Sequence, residues 1–403
     1  MNKRVVITGL GAISALGHTT GQFWESLKHG RPGIQTLSNL PTERLRVHIG
    51  ATVPDYRPAD HFTPRELHLL DRFSQFALLA AREAVTDAGL DDTAMHGAAA
   101  IIGTGCGGKV TDEETYQCLY EQGKSRVSPL TIPKGMPSAA ASQVSMQLGI
   151  TGPVFSVTSA CASAAHATSV AMSMIRSGMV NVAVTGGTDA PFTYGLMKSW
   201  EALRVLSRDT CRPFSLDRSG LVLGEGAGIV VLESLEHAQR RGAVIHAELA
   251  GCGMSADAGH ITDPSAAGAA KAMQAALADA ALSPSAVDYV NAHGTGTLAN
   301  DVMESRALRE VFAGHADRLL VSATKSMHGH SLGAAGAHEL VATVLALKHG
   351  IVPPTANFTA PGEGCDLDYV PNHSREAELH TALSNSFAFG GLNAALAVRA
   401  WQE

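Results

Sequence analysis

Residues 5–14 read VVITGLGAIS, and residues 244–257 read VIHAELAGCGMSAD. Each is an apolar run that closes on glycines, the pattern of a strand that ends in a sharp turn. An Ala-rich amphipathic stretch comes next in both places, FSQFALLAAREAVTDAGL from Phe73 and AAGAAKAMQAALADAAL from Ala266, with apolar residues every three or four positions. Both stretches end in Asp-Ala-(Gly/Ala)-Leu. The correspondence continues in one order. AAAIIGTGCGG from Ala98 answers VDYVNAHGTGT from Val287, and VFSVTSAC, ending at Cys161, answers LLVSATKS near Lys325. These last two lead into small-residue helices that stop at Gly178 and Gly350. NVAVTGG and GAGIVVLE then answer TALSNSFAFGG and NAALAVRA. The sequence therefore predicts a duplicated α/β chain with halves 1–242 and 243–403, divided at the charged helix SLEHAQRRG around residues 234–242. Its site is expected where equivalent post-strand loops meet. One long Rossmann-like domain is the alternative that periodicity leaves open.

Composition narrows the function. A chain of 403 residues that is 45% hydrophobic and 17% charged has enough apolar content for a large core or two fused ones. Every long apolar run is cut by Gly, Ser or a charge, so no membrane span is expected. The start, MNKRVVITGLGAISALG, lacks a cleavage site and is not read as a signal peptide. Six scattered cysteines without a CxxC pair fit free thiols in a reducing, cytoplasmic setting. A net charge of -7 with no run of Lys and Arg argues against nucleic acid as a partner. An acidic partner would need a local basic patch.

Three positions carry the chemistry. Cys161 in VTSACASAAHA follows an apolar strand at the start of a helix, where unpaired N–H groups and the helix dipole favour a thiolate. The alternative is a small buried hydrophobe. His293 in NAHGTGT and His330 in KSMHGHSLGAAGA each sit in a glycine-rich loop after a strand of the second half. They lack a ligand pattern for zinc, so no metal is expected, and neutral imidazoles suit proton donation to a developing oxyanion. Lys325 stands close enough in sequence to His330 to set its local charge, whereas His166, His328 and His338 read as structural. VVITGLGAISALG has the look of a dinucleotide loop, but it misses the GxGxxG spacing and the later acidic residue. Neither a phosphate loop nor a HExxH helix occurs.

With VTSACASAAHA, NAHGTGT, KSMHGHSLGAAGAHE and NSFAFGGLN assembled, the chain resembles the type II β-ketoacyl-carrier-protein synthases over its whole length. The resemblance implies a five-layered αβαβα thiolase fold, used as a dimer, and an acyltransferase that needs no cofactor. It makes Cys161 the acylated nucleophile, with His293 and His330 as the imidazoles of decarboxylation and condensation, supported by Lys325 paired with Glu339. It also assigns the oxyanion hole to the N–H groups of Cys161 and Phe389, and a mobile gate to Phe389. Cys106, Met136 in KGMPSAAASQ, Phe387 and Phe389 would line the acyl pocket. Arg65, His68, Arg204 and Arg208 would meet the acyl carrier protein. The chain departs from the family at Gly296, where Ser is frequent, and at His328 and Leu392, where Thr is frequent. Together with the small Cys106, these departures point to a specialised pathway and a bulky, unsaturated or aryl-like acyl chain.

Two other functions compete. A degradative thiolase would carry a second cysteine where this chain reads NSFAFGG, and a non-catalytic chain-length partner would lack Cys161. The chain could still serve as the catalytic member of a heterodimer with such a partner. A pure binding module needs neither the thiol nor both imidazoles.

Overall fold

The computed structural model describes residues 3–38 and 40–402; the outermost residues of the two expected halves, Met1, Asn2 and Glu403, lie outside them. Ten strands form the core: β1 (Val5–Ser14), β2 (Ala99–Gly103), β3 (Val154–Val157), β4 (Val182–Asp189), β5 (Gly226–Ser234), β6 (Ala247–Ala256), β7 (Tyr289–Asn291), β8 (Leu320–Ser322), β9 (Thr381–Ala388) and β10 (Leu392–Ala400). Their order is β8-β7-β9-β10-β6-β1-β5-β4-β2-β3. Counted outward from the centre, one side runs β1-β5-β4-β2-β3 and the other β6-β10-β9-β7-β8, the same path with each number raised by five. Directions repeat as well. In each half the two outer pairings are parallel and the two inner ones antiparallel. A short antiparallel contact, Val6 with Glu248 and Ile7 with Ala247, joins the halves at the centre. The strand correspondences expected from the sequence hold in order.

The helices used below are α1 (Pro64–Leu69), α2 (Arg72–Ala88), α3 (Lys109–Tyr116), α4 (Ala139–Leu148), α5 (Ser163–Arg176), α6 (Tyr194–Leu203), α7 (Leu235–Arg240), α8 (Ala266–Asp279), α9 (Leu298–Phe312) and α10 (Ala335–His349). α2 and α4 cover one outer face, and α8 and α9 cover the other. Between the two half-sheets lie α5 and α10. The result is five layers, αβαβα. Every residue of α10 from Ala335 to Leu347 is buried, as a helix with sheet on both sides requires.

The glycines of the repeated phrase explain the layering. A Cβ on Gly9 would lie 2.0 Å from the Ala84 carbonyl oxygen, and one on Gly11 1.9 Å from that of Ala80, both on α2. Their counterparts Gly251 and Gly253 would meet Ala276 of α8 at 2.6 Å and Ala272 at 2.1 Å. The strands thus lie directly against alanine-rich helices, a contact that any side chain would wedge apart. The two strands also slip register at matching points, β1 between Ile7 and Gly9, and β6 opposite Ala397 and Val398. The GxG of VVITGLG is a packing device. Helix α10 ends on left-handed Gly350, as read from the sequence, while α5 ends two residues before Gly178.

Candidate active site

Four loops that follow parallel strands of the two halves converge on one pocket. Cys161 comes from the loop after β3, His293 from that after β7, His330 from that after β8, and Phe387 to Phe389 from the end of β9. The pocket is also lined by Trp200, Val205, Thr295 and Asn300. Among the described residues no helix is long and apolar enough to cross a membrane.

Cys161 occupies a single 3-10 turn, Ala160–Ala162, that runs straight into α5. The preceding Ala160 has φ +50°, a left-handed conformation costly for a residue with a Cβ, so the backbone bends sharply just before the thiol. Space for this turn comes from Gly103 and Gly187, where a Cβ would meet Ala164 at 2.5 and 2.8 Å. The N–H groups of Phe389 and of Cys161 itself face the sulfur. The helix start was expected to favour the thiolate, but burial pushes the thiol up to about 12, against the lowering influence of Lys325 and of the two N–H groups.

The two imidazoles stand edge to face, ring centres 5.4 Å apart. Burial, with Lys325 as a further cause, holds both well below the ordinary histidine value, so both are neutral at pH 7. Their tautomers follow from their neighbours. The Leu332 N–H donates to His330 Nδ1 at 3.2 Å, which puts the His330 proton on Nε2. Lys325 Nζ lies 3.3 Å from His293 Nδ1 and donates to the His293 carbonyl at 2.7 Å. An ammonium offers only protons, so His293 also keeps its own on Nε2. Lys325 is fully buried and forms an ion pair with Glu339, whose carboxyl is raised by burial while Lys325 opposes the rise. The sequence placed this lysine among small residues rather than on a solvated face, and its burial follows from that.

Two carboxylates that sequence reasoning missed hold the loops. Glu304 on α9 accepts the N–H groups of His293 and Gly294, each at 2.8 Å. Asp189, the last residue of β4, accepts from Thr104 Oγ1 and Gly105 N at 2.8 Å, Cys106 N at 3.0 Å and Gly333 N at 2.6 Å, tying the loop after β2 to the one bearing His330. For Asp189 the signal was an acid closing an apolar strand, whereas Glu304 stands on a helix face that also buries Asn300, Asp301 and Ser305. The histidines read as structural have partners: His166 with Ser159, His328 with Gly329 and Thr324, His338 with Ser331 and Ile13. His328 also packs against the rings of Phe23 and His338. At Gly296, φ is +80° and a Cβ would lie 2.9 Å from the Gly220 carbonyl, so this loop is shaped for glycine.

Other expected residues fall outside the pocket. Phe387 and Phe389 line it, but Cys106 and Met136 do not. Cys106 packs on the apolar cluster containing Met197, Leu221 and Leu332, and Met136 is partly exposed on a neighbouring segment. Arg65 and His68 are on α1, away from the pocket wall, Arg65 exposed and His68 likewise. Arg204 caps α6 with φ +57° next to the wall residue Val205, and Arg208 is exposed further along that loop.

Comparison with known proteins agrees with this geometry. Residues 2–238 match the family described as beta-ketoacyl synthase, N-terminal domain, and residues 246–359 match its C-terminal domain. The chain is 51% identical over 401 residues to nodulation protein E of Rhizobium sp. (strain N33), covering 99% of this chain and 100% of that one. It is 42% identical over 410 residues to 3-oxoacyl-[acyl-carrier-protein] synthase 2 of Staphylococcus aureus (strain N315), covering 100% and 99%. Among solved structures, the ishigamide ketosynthase/chain length factor aligns with TM-score 0.95 at 36% identity, and a type II PKS ketosynthase in complex with its acyl-carrier protein aligns with 0.91 at 34%, each covering 100% of both chains. The repeat, the thiolase-type layering and the Cys-His-His pocket therefore have one explanation: this chain is a condensing enzyme of the β-ketoacyl synthase family.

Proposed function

We propose that this β-ketoacyl synthase carries an acyl group as a thioester on Cys161 and condenses it with a malonyl group presented by an acyl carrier protein. One observation supports the reading best: a thiol faced by two backbone N–H groups shares its pocket with two neutral imidazoles whose Nε2 protons have no protein partner among the described residues. In the first step the Cys161 sulfur attacks the acyl-thioester carbonyl, and the carrier thiol leaves with the proton. The N–H groups of Cys161 and Phe389 are the donors for the oxyanion of that step. In the second step the malonyl C–C bond breaks, carbon dioxide departs, and the electron pair becomes an enolate that His293 and His330 stabilise through Nε2–H. Lys325, paired with Glu339, keeps His293 in the donating tautomer, and the Leu332 N–H keeps His330 in it. The enolate carbon then attacks the acyl-Cys161 carbonyl and expels the thiolate. This chemistry uses no metal or organic cofactor.

The acidic carrier docks on the exposed side chains of Arg65, His68, Arg204 and Arg208. Joint replacement Arg65→Glu and Arg204→Glu raises its Michaelis constant, and an unchanged value removes the assignment. The unit is a dimer built on β3, an edge strand flanked by the exposed apolar side chains of Phe155, Ile132 and Met146. The partner is a second copy; the relative whose name couples a ketosynthase with a chain length factor supports a heterodimer as the second reading. The two catalytic halves are residues 1–242 and 243–403, the setting is the cytoplasm, and the acyl chain is bulky, unsaturated or aryl-like, with Cys106 and Met136 shaping its space in the assembled dimer. Kinetic preference for only short saturated primers contradicts that acyl assignment. The reaction itself is tested by intact mass: an acyl adduct on wild type, discharged by malonyl-carrier protein with release of carbon dioxide, and no adduct on Cys161→Ala.

A further inference from the structure

The Phe389 side chain is not alone at the pocket. Trp200 lines the same pocket, and its ring is stacked on Phe389 with centres 6.0 Å apart and planes 26° apart, within the range where aromatic pairs attract beyond simple burial. The two rings are mounted very differently. Trp200 sits on α6, which is pinned at both ends. At its start the Glu113 carboxylate from α3 accepts the N–H groups of Tyr194 and Gly195, each at 2.7 Å. At its end Glu201 accepts the Val47 N–H at 3.0 Å, bonds the Arg46 N–H and takes Lys198 as an ion pair. Phe389 instead opens the turn between β9 and β10, and the next two residues are Gly390 and Gly391, at φ +84° and +68°. That turn touches the rest of the pocket rim through backbone bonds, Gly390 N–H to the Ile261 carbonyl at 2.7 Å and Asp257 N–H to the Gly391 carbonyl at 2.9 Å. One ring is a fixed post and the other rides on a pliable turn.

From this asymmetry we propose that Trp200 is a positioning residue, an aromatic latch. Stacked on it, Phe389 rests where its N–H faces Cys161; an acyl group larger than the space beside the thiol breaks the stack as it enters, so Trp200 sets how readily long chains load. The inference rests on the acyl-Cys161 reading. A two-carbon acetyl group fits without moving Phe389, whereas a dodecanoyl chain does not.

The test needs only small thioesters. Trp200 is one of three tryptophans, and the others lie elsewhere, Trp24 stacked on His349 and Trp401 beside Arg4. Loading wild type with the N-acetylcysteamine thioester of dodecanoate shifts the tryptophan emission, loading with the acetyl thioester does not, and Trp200→Phe shows neither shift. By intact mass, Trp200→Ala raises the ratio of dodecanoyl to acetyl loading rates roughly 2- to 12-fold, the worth of one aromatic pair, and Trp200→Phe keeps the wild-type ratio. Wild-type emission unchanged on dodecanoyl loading overturns the latch, and so does a Trp200→Ala ratio at or below that of wild type. Should Trp200→Ala not fold, the wild-type emission and Trp200→Phe decide. Absence of any Cys161 adduct in wild type overturns the acyl-enzyme reading first, and the latch with it.

Discussion

At the scale of single residues, Cys161 is governed by two opposed influences. Its burial favours the neutral thiol, and the two N–H groups and Lys325 favour the thiolate. Burial wins, with the thiol up to about 12. Below that value the thiolate fraction grows tenfold for each pH unit. Alkylation of Cys161 by iodoacetamide, followed by peptide mass, therefore rises steadily from pH 7 to 9, and a plateau near the ordinary thiol value contradicts the assignment. The sign is reversed for the imidazoles. Both are lowered, so both stay neutral as pH falls past 6.5. Condensation by enzyme already loaded with acyl group is accordingly flat from pH 8 to 6, whereas protonated rings would make it fall. His330→Ala removes one donor to the enolate and lowers decarboxylation about 10²- to 10³-fold, while Cys161 still takes up acyl group. Loss of loading in this variant would show that His330 acts at the first step instead.

The elements show what a linear sequence carries and what it hides. VVITGLG and AELAGCG repeat because each strand must accept an alanine-rich helix at backbone distance, and such local demands on small residues can be read without coordinates. The same holds for the loops of His293 and His330, each announced by glycines after an apolar strand. Asp189, Glu304 and Trp200 were not legible in this way. For Asp189 and Trp200 the partners come from elements remote in sequence, Cys106 and Gly333 for the one and Phe389 for the other, while Glu304 folds back from its helix onto the preceding loop at His293. The depth of burial at Cys161, which opposes the N–H groups, is likewise a property of the packed layers and not of its helix. A prediction belongs here. Gly11→Ala drives a methyl into the Ala80 carbonyl of α2 and destabilises the fold by about 1–3 kcal/mol. Gly97→Ala, with nothing within 4 Å of the new methyl, stays close to wild type. Urea unfolding of the two variants separates them, and equal midpoints would mean that the glycines of the repeat are not there for packing.

For the whole molecule, the duplicated sheet sets a division of labour. The first half supplies the Cys161 thiol from the loop after β3, and the second supplies both imidazoles and Lys325 from the loops after β7 and β8, with Phe389 from the end of β9 lining the same pocket. Strand β3 ends one side of the sheet with apolar neighbours exposed. Light scattering of the purified chain should accordingly give twice its 41.9 kDa mass. A monomer that doubles only when a homologous chain is added would favour the heterodimer. The central claim is that one acyl group passes through Cys161 on its way to a new carbon–carbon bond. Intact mass spectrometry of the enzyme with acyl-carrier protein, then with malonyl-carrier protein, follows that passage directly. The account predicts an adduct that maps to Cys161, disappears when malonyl-carrier protein is added, and never forms on Cys161→Ala. The same adduct on Cys161→Ala, or one that malonyl-carrier protein leaves in place, would contradict it.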